Sequence, residues 1–346
     1  MIDPYQFRSK NEKISFQITK KTIVTFLVIF VFTWLLFIMS LSVGSSFINP
    51  FDVLRHLLGS GIPEYDFILN TWRLPRTILA FMVGASLAVS GLILQGIIRN
   101  PLASPDIIGI TSGASVGAIV FIVYFMGTIS IQWLPLSAII GAGFVSFLIY
   151  VLSWSKGVTP IRLVLMGIGI SAIMNAIVTM MIVLSDTAIT TKSYLWITGS
   201  LYGASWTDIT SMLPWFLLFI PITFMLARII NAKELGDDVA ISIGVKVQLF
   251  RVLLIIISVI LAGTAVAFAG GIGFVGLIAP HIARMLIGRS FAALVPISAM
   301  IGGILVMFAD IVGRTAFLPL DVPAGVFTAS IGAPFFIYLL YRNRNQ

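Results

Sequence analysis

The run from Thr77 to Ile98 carries no charged residue, whereas Arg73 and Arg76 stand just before it and Arg99 directly after it. An uncharged, apolar stretch of about twenty residues matches the hydrocarbon thickness of a bilayer, and only a helix satisfies every backbone polar group there. The polar corner Arg99-Asn100-Pro101-Leu102-Ala103-Ser104-Pro105-Asp106 then turns the chain round. Ser104 is placed as an N-cap, Pro105 at the first helical position and Asp106 beside the positive helix end. The returning helix carries Gly109, Gly113 and Gly117 at four-residue spacing. Between lipid-embedded helices there is no hydrophobic drive, so small residues on one face serve close backbone approach. The spacing predicts a helical hairpin packed tightly against another helix.

Around this hairpin, 346 residues are 59% hydrophobic and only 10% charged, against about 25% charged in soluble domains. An integral membrane protein follows, all-α, with about ten spans in a single transmembrane domain over 1–346. Residues 1–21 are polar and basic, and the apolar run after them outlasts a signal-peptide core, so an uncleaved first helix is expected. The absence of cysteine excludes disulfides and thiolate chemistry. His56 and His281 are too few and too distant for a metal site. A net charge of +8 is explained by membrane orientation and needs no nucleic acid.

The apolar runs predict spans at Thr22–Val43, Thr77–Ile98, a third ending near Gly127, Pro135–Trp154, Arg162–Leu184, Ser205–Ile230, Val247–Phe268, Leu277–Ile287, Pro296–Val312 and one from about Pro323. Asn49–Leu58 reads as an interfacial amphipathic helix, Asp186–Lys192 as a polar outer loop, and Tyr194–Tyr202 as an interfacial or re-entrant helix. The polar segment 231–246 predicts a short cytoplasmic helix that begins at Asp237 and Asp238 and is closed by Gly244. With both termini inside, sixteen of the 21 lysines and arginines fall on the cytoplasmic side. Arg55, Arg73, Arg76, Lys192 and Arg314 fall outside. Of these, Arg73, Arg76 and Arg314 ask for a separate reason, which an acidic partner at the outer face would supply.

No phosphate-binding loop of the form G-x-x-x-x-G-K-[ST] is present. The glycines between Gly270 and Gly276 lack a βαβ context and read as helix breaking or packing. Asp310 is the only acid well inside a late span, four residues before Arg314. Either an intrahelical ion pair or a docking role for Arg314 accounts for that spacing. Ser90-Gly91 ahead of Asn100-Pro101 loosely echoes Ala269-Gly270 ahead of Ala279-Pro280, as a duplicated half would. These features fit a polytopic transporter or channel subunit and leave the two open. An ion-coupled secondary transporter would need an intramembrane carboxylate or half-helix ion site.

From Gly44 onward the chain resembles the permease subunits of ABC importers for iron-siderophores and vitamin B12. The motifs, in order, are Arg73-Leu74-Pro75-Arg76, Asn100-Pro101-Leu102-Ala103, Leu235-Gly236-Asp237-Asp238-Val239-Ala240, the run Gly271 to Arg284, Ala309 to Arg314, Pro323-Ala324-Gly325 and Gly332-Ala333-Pro334-Phe335. The resemblance implies the type II importer fold with ten transmembrane helices. It also implies a second permease subunit, copy or paralogue, two cytoplasmic ATPases carrying ATP and Mg, and an extracytoplasmic substrate-binding protein. By motif match, Arg73, Arg76 and Arg314 would receive glutamates of the binding protein. Glu234, Leu235, Gly236, Asp237, Asp238, Val239 and Ala240 would couple to the ATPase. Thr159, Pro160 and Ile161 would lie near the inner gate, where vitamin B12 members have small hydroxyl residues and this chain has bulkier ones. His281 also matches a family position, with packing as its expected role. The Leu-Gly-Asp-Asp-Val-Ala wording is closer to siderophore members, which favours a ferric siderophore over vitamin B12 or haem. The resemblance assigns this chain no catalytic residue and no bound cofactor.

Overall fold

The computed structural model describes residues 5–8, 15–60, 63–155 and 157–342. Lys10, Lys13, Lys156 and Arg344, which contribute to the predicted charge bias, lie outside them. Near the start, β1 (Tyr5–Arg8) and β2 (Ser15–Ile18) pair antiparallel with Tyr5 opposite Ile18. Beyond this small ribbon the described chain is helical apart from turns and two isolated bridges.

Helix α1 (Lys20–Ser42) starts where the Thr19 hydroxyl accepts the Thr22 N–H at 3.2 Å. In α2 (Pro50–Leu57) Asn49 caps the Phe51 N–H at 3.0 Å and Pro50 takes the first helical position. Val53 turns inward onto Leu41, Ile48, Leu69 and Leu74 while Phe51 and Leu58 stay exposed, the arrangement the amphipathic pattern predicts. Then α3 (Pro63–Phe67), a π-helical turn over Ile68–Arg73 and α4 (Leu74–Ile98) join in one 36-residue helix. The sequence pattern starts this span after Arg76 because Glu64, Asp66, Asn70, Arg73 and Arg76 interrupt the hydropathy. Arg73 and Arg76 are consequently inside the helix, not ahead of it.

Arg99 closes α4 in the left-handed region at φ 56°. Ser104 was expected to cap a helix from Pro105, but only one 3-10 turn, Pro105–Ile108, forms there. Gly109, at φ 71°, breaks it, and α5 (Ile110–Val120) begins afterwards, continuing through a π turn to Phe125. There follow α6 (Leu134–Leu152), α7 (Pro160–Val183) and α8 (Thr187–Thr198). The predicted outer loop 186–192 is thus mostly helix. Its threonines are accommodated by bonding back to carbonyls, Thr191 Oγ1 to the Thr187 oxygen at 3.0 Å and Thr190 Oγ1 to the Ile182 oxygen at 3.2 Å.

A capping box of Ser205 and Asp208 opens α9 (Trp206–Met225). The predicted sixth span ends earlier than its apolar run, and α10 (Ala227–Glu234) and α11 (Asp237–Ser242) follow, separated by Gly236 at φ 119°. The short helix expected to begin at Asp237 and Asp238 is α11, followed by Gly244 at φ 86°, and α10 precedes it. The chain closes with α12 (Val247–Ala269), α13 (Val275–Ile287), α14 (Phe291–Thr315) and α15 (Ala324–Arg342).

Among the described residues seven helices are long and apolar enough to cross a membrane, and three more apolar helices, Ile110–Phe125, Val275–Ile287 and Ala324–Leu339, are shorter. Seven of the ten expected spans fall on the first group, and the other three fall on these shorter helices. Helix α4 is the axis: 89% of its most apolar window is buried, against 17% for α7 and α9 and none for α1. It is packed against α9, α12, α13 and α14. Gly84 abuts the Gly302 carbonyl of α14, and Gly91 abuts that of Gly276, so a methyl group at either would collide with backbone. Gly113 and Gly117 meet the Gly141 and Ser137 carbonyls of α6 in the same way, and Gly109 lies against Ile149 and Val145. The three spaced glycines share α6 as their neighbour.

Candidate functional site

Ionic clusters occupy both ends of α4. At the first, Arg73 emerges from the π turn and is 5% exposed. It donates to the Leu41 and Ser42 carbonyls at 2.6 and 2.9 Å and to that of Ser46 at 2.5 Å, tying the end of α1 to α4. One turn later, Arg76 donates from Nε to Asp310 at 2.8 Å, and from Nη1 and Nη2 to the two oxygens of Asp321 at 2.6 and 2.9 Å. Such a paired fork fixes geometry as well as charge. Asp310, 1% exposed, is shared with Arg314, whose Nε lies 3.5 Å away and whose Nη2 donates to the Ser40 carbonyl and hydroxyl.

The structure brings together all three arginines that the motif match selected for docking. It also supplies the separate reason they called for: two aspartates and a set of carbonyls within the chain. Internal partners account for most of these donors, while Arg314 Nε has no hydrogen-bond partner among the described residues, and docking of an external acidic partner there stays a proposal. The expected Asp310–Arg314 pair is present, yet Asp310 lies closer to Arg76, across two helices. Asp321, distant in sequence and preceding α15, gave no such signal. A cavity of about 640 Å³ opens beside the cluster, lined by Arg73, Arg76, Arg314 and Asp321 together with Trp72, Tyr202 and the 318–320 turn.

At the other end, Arg99 donates to Asp237 Oδ1 and Arg251 to Asp237 Oδ2, each at 2.7 Å. Arg251 is 1% exposed and also donates to the Val158 carbonyl. Val158 immediately precedes the expected gate turn. There Thr159 is extended, Pro160 opens α7 and Ile161 is exposed. One carboxylate thus joins the end of α4, the start of α11, helix α12 and the turn before α7. Burial alone would raise the Asp237 carboxyl, but the Arg251 hydrogen bond and the charges of Arg251, Arg99 and Lys233 bring it below its ordinary value.

Lys233 is 1% exposed and its Nζ finds no hydrogen-bond partner among the described residues. Burial, reinforced by Arg251 and Arg99 and opposed by Asp237, lowers its pKa to about 8. Within the expected coupling segment Leu235, Asp238 and Val239 are exposed, whereas Ala240 is buried and Gly236 supplies the φ that separates the two helices. Glu234 faces a smaller cavity of about 260 Å³, shared with Gln95, Arg99, Asn100, Pro101, Arg284 and Arg289. Burial raises its carboxyl against the pull of Arg284 and Arg289.

Sequence reasoning used Arg251 and Lys233 as markers of orientation only. Arg251 lies five residues into an apolar helix, and an intramembrane arginine is by itself a signal that a partner must exist.

Residues 32–342 match the FecCD transport family. The achromobactin transport system permease protein CbrC of Dickeya dadantii is 49% identical over 306 residues, 88% of either chain. The iron(3+)-hydroxamate import system permease protein FhuG of Bacillus subtilis is 41% identical over 330 residues, covering 94% of this chain and 98% of its own. Among solved structures, an inward-facing metal-chelate type ABC transporter superposes with a TM-score of 0.81 at 31% identity, over 92% of this chain and 99% of that one. Apolar helices packed on the buried α4, the ionic clusters at its two ends and this match over nearly the whole length agree: the chain belongs to the FecCD transport family.

Proposed function

We propose that this chain is the transmembrane permease subunit of an ATP-driven importer that carries a ferric siderophore across the cytoplasmic membrane. Relatives whose names specify achromobactin and ferric hydroxamate support the cargo. The excess of basic residues at the end holding Arg99, Arg228, Lys233, Arg251, Arg284 and Arg289 supports placing that end in the cytoplasm. ATP is bound and hydrolysed by two partner ATPases. A second permease subunit completes the pathway, and an extracytoplasmic binding protein delivers the cargo.

The observation that carries the mechanism is the double pairing of Asp237. The segment from Glu234 to Ala240 meets the ATPase through the exposed Leu235, Asp238 and Val239. Displacing α11 moves Asp237, which pulls on Arg99 and Arg251, and Arg251 pulls on Val158 beside the gate turn. ATP binding thereby biases which end of the pathway is open, through contacts that differ between the two states. At the outer end, a binding-protein carboxylate enters the larger cavity and competes with Asp321 for Arg76, releasing the 316–323 turn from α4.

The test is reconstitution with the ATPase, the second permease and the binding protein in proteoliposomes, with radio-iron siderophore outside the binding face. ATP-dependent accumulation that disappears with Asp237→Asn while ATP hydrolysis persists supports the mechanism. Uptake by this chain alone, driven by an ion gradient, would sink it.

A further inference from the structure

The smaller cavity borders the coupling segment at Glu234 and Arg99, but its Arg284 and Arg289 have no part in the transport mechanism, and its chemistry is specific. Three guanidinium groups, Arg99, Arg284 and Arg289, converge on it from the end of α4, from α13 and from the turn before α14. Arg99 is committed to Asp237. Arg284 gives one N–H to Gln95 Oε1, and Gln95 is itself 2% exposed and held through Nε2 by the Leu277 carbonyl at 3.4 Å. None of the other Arg284 nitrogens is sealed off unpartnered within the protein, so those donors remain available at the cavity. Among the described residues, Arg289 makes no hydrogen bond or ion pair within 4.0 Å. Glu234 lines the same space without forming an ion pair within that distance, and burial holds its carboxyl up.

The three arginines face one carboxylate in the cavity lining, Glu234, and the Asp237 that holds Arg99 is shared with Arg251, so positive charge is in excess there. A single anionic group with two or more oxygens in one plane would meet the open Arg284 and Arg289 donors. At about 260 Å³ the space is below the roughly 300–1,000 Å³ of small-molecule pockets, too small for a chelated cargo and sufficient for a phosphate. It sits where helices end, at the level where basic clefts between membrane helices receive lipid headgroups.

We propose that the cavity between the ends of α4, α10 and α13 binds a phosphodiester group, as borne by an anionic phospholipid of the inner leaflet, through Arg284 and Arg289. This rests on the orientation proposed above, but not on transport. The bound headgroup joins α13 to the turn before α14 through Arg284 and Arg289, beside Glu234 of the segment that leads to Asp237.

The test uses the full chain in nanodiscs and in detergent, read by native mass spectrometry and by thermal unfolding. In detergent, phosphatidylglycerol is titrated against phosphatidylcholine of the same acyl chains, with inorganic phosphate as a separate arm. Retained phosphatidylglycerol adducts, and an upward shift of the melting temperature, are expected for the unaltered protein. In Arg284→Gln/Arg289→Gln the apparent affinity should fall about tenfold or more, as expected for losing two cationic contacts. Arg55→Gln, at the opposite end, serves as the control and should behave as the unaltered protein. Since Arg284 also holds Gln95, the single Arg289→Gln variant keeps the test valid if the double variant folds poorly. A melting shift with inorganic phosphate alone would assign the site to a soluble anion and overturn the lipid source. Equal retention of the two lipids, or unchanged affinity in Arg289→Gln, would overturn the site itself. An absence of ATP-dependent transport would leave both readouts intact.

Discussion

Buried charge in this protein is almost always answered by a partner, and Lys233 is the exception worth testing. A buried ammonium without an acceptor costs stability, so Lys233→Met should stabilise the protein by about 1–2 kcal/mol, read as a higher melting temperature in detergent. The sign with pH follows from a pKa lowered from 10.5 to about 8. The charged form is disfavoured in the folded state, so the penalty is full below pH 8 and fades as pH rises towards 10.5. The difference in stability between Lys233→Met and the unaltered protein should therefore shrink over that window. Asp310 offers the opposite case. Asp310→Asn leaves Arg76 and Arg314 without their shared buried carboxylate and should cost roughly 3–5 kcal/mol. Asp321→Asn, at a side chain 24% exposed, should cost about 1 kcal/mol or less after solvent screening. Equal losses in denaturant melts would contradict this ranking. The arginines themselves were legible in the sequence, because charges flanking apolar runs stand out. Their partners were not, since Arg76 and Asp321 are 245 positions apart and no local pattern links them.

Helices in lipid are held by shape, so the glycines between elements set the limits of substitution. Gly84→Leu and Gly91→Leu drive a side chain into the backbone of α14 and of α13 at Gly276, and should abolish the monodisperse peak in size-exclusion chromatography. Gly143→Leu on α6, where an added side chain meets open space, should leave that peak intact. A normal elution profile for Gly84→Leu would mean that α4 and α14 separate more readily than their contact implies. At this scale the sequence was most informative for long apolar runs, whose extent is set by bilayer thickness. It was least so where polar residues are helical, as in Thr187–Thr198, because hydropathy marks them as loop while hydroxyls such as those of Thr190 and Thr191 bond back to preceding carbonyls. The break at Gly109 escaped as well. Its four-residue spacing to Gly113 and Gly117 matches a helix face, and nothing in the sequence distinguishes a glycine chosen for packing from one chosen for positive φ.

For the whole molecule, orientation is the quantity on which both cavities depend, and the chain is free of cysteine, so single cysteines report it directly. Val239→Cys should react in intact cells only with a membrane-permeant maleimide, and Leu58→Cys with an impermeant one. The reverse pattern would invert the assignment of inside and outside. Charge counting gives this direction as an expectation from the sequence, but it could not reveal that a single helix connects the two clusters. Leu74–Ile98 is about 37 Å long at 1.5 Å per residue, and it is fastened by Arg76 at one end and Arg99 at the other. A rod bolted at both ends neither slides nor spins while both bolts hold. Loosening either one leaves the other as a pivot, so a small tilt about Asp237 would sweep Arg76 sideways past Asp310 and Asp321. Access at the two membrane surfaces would then be set by which bolt is undone, with the rod itself unbent.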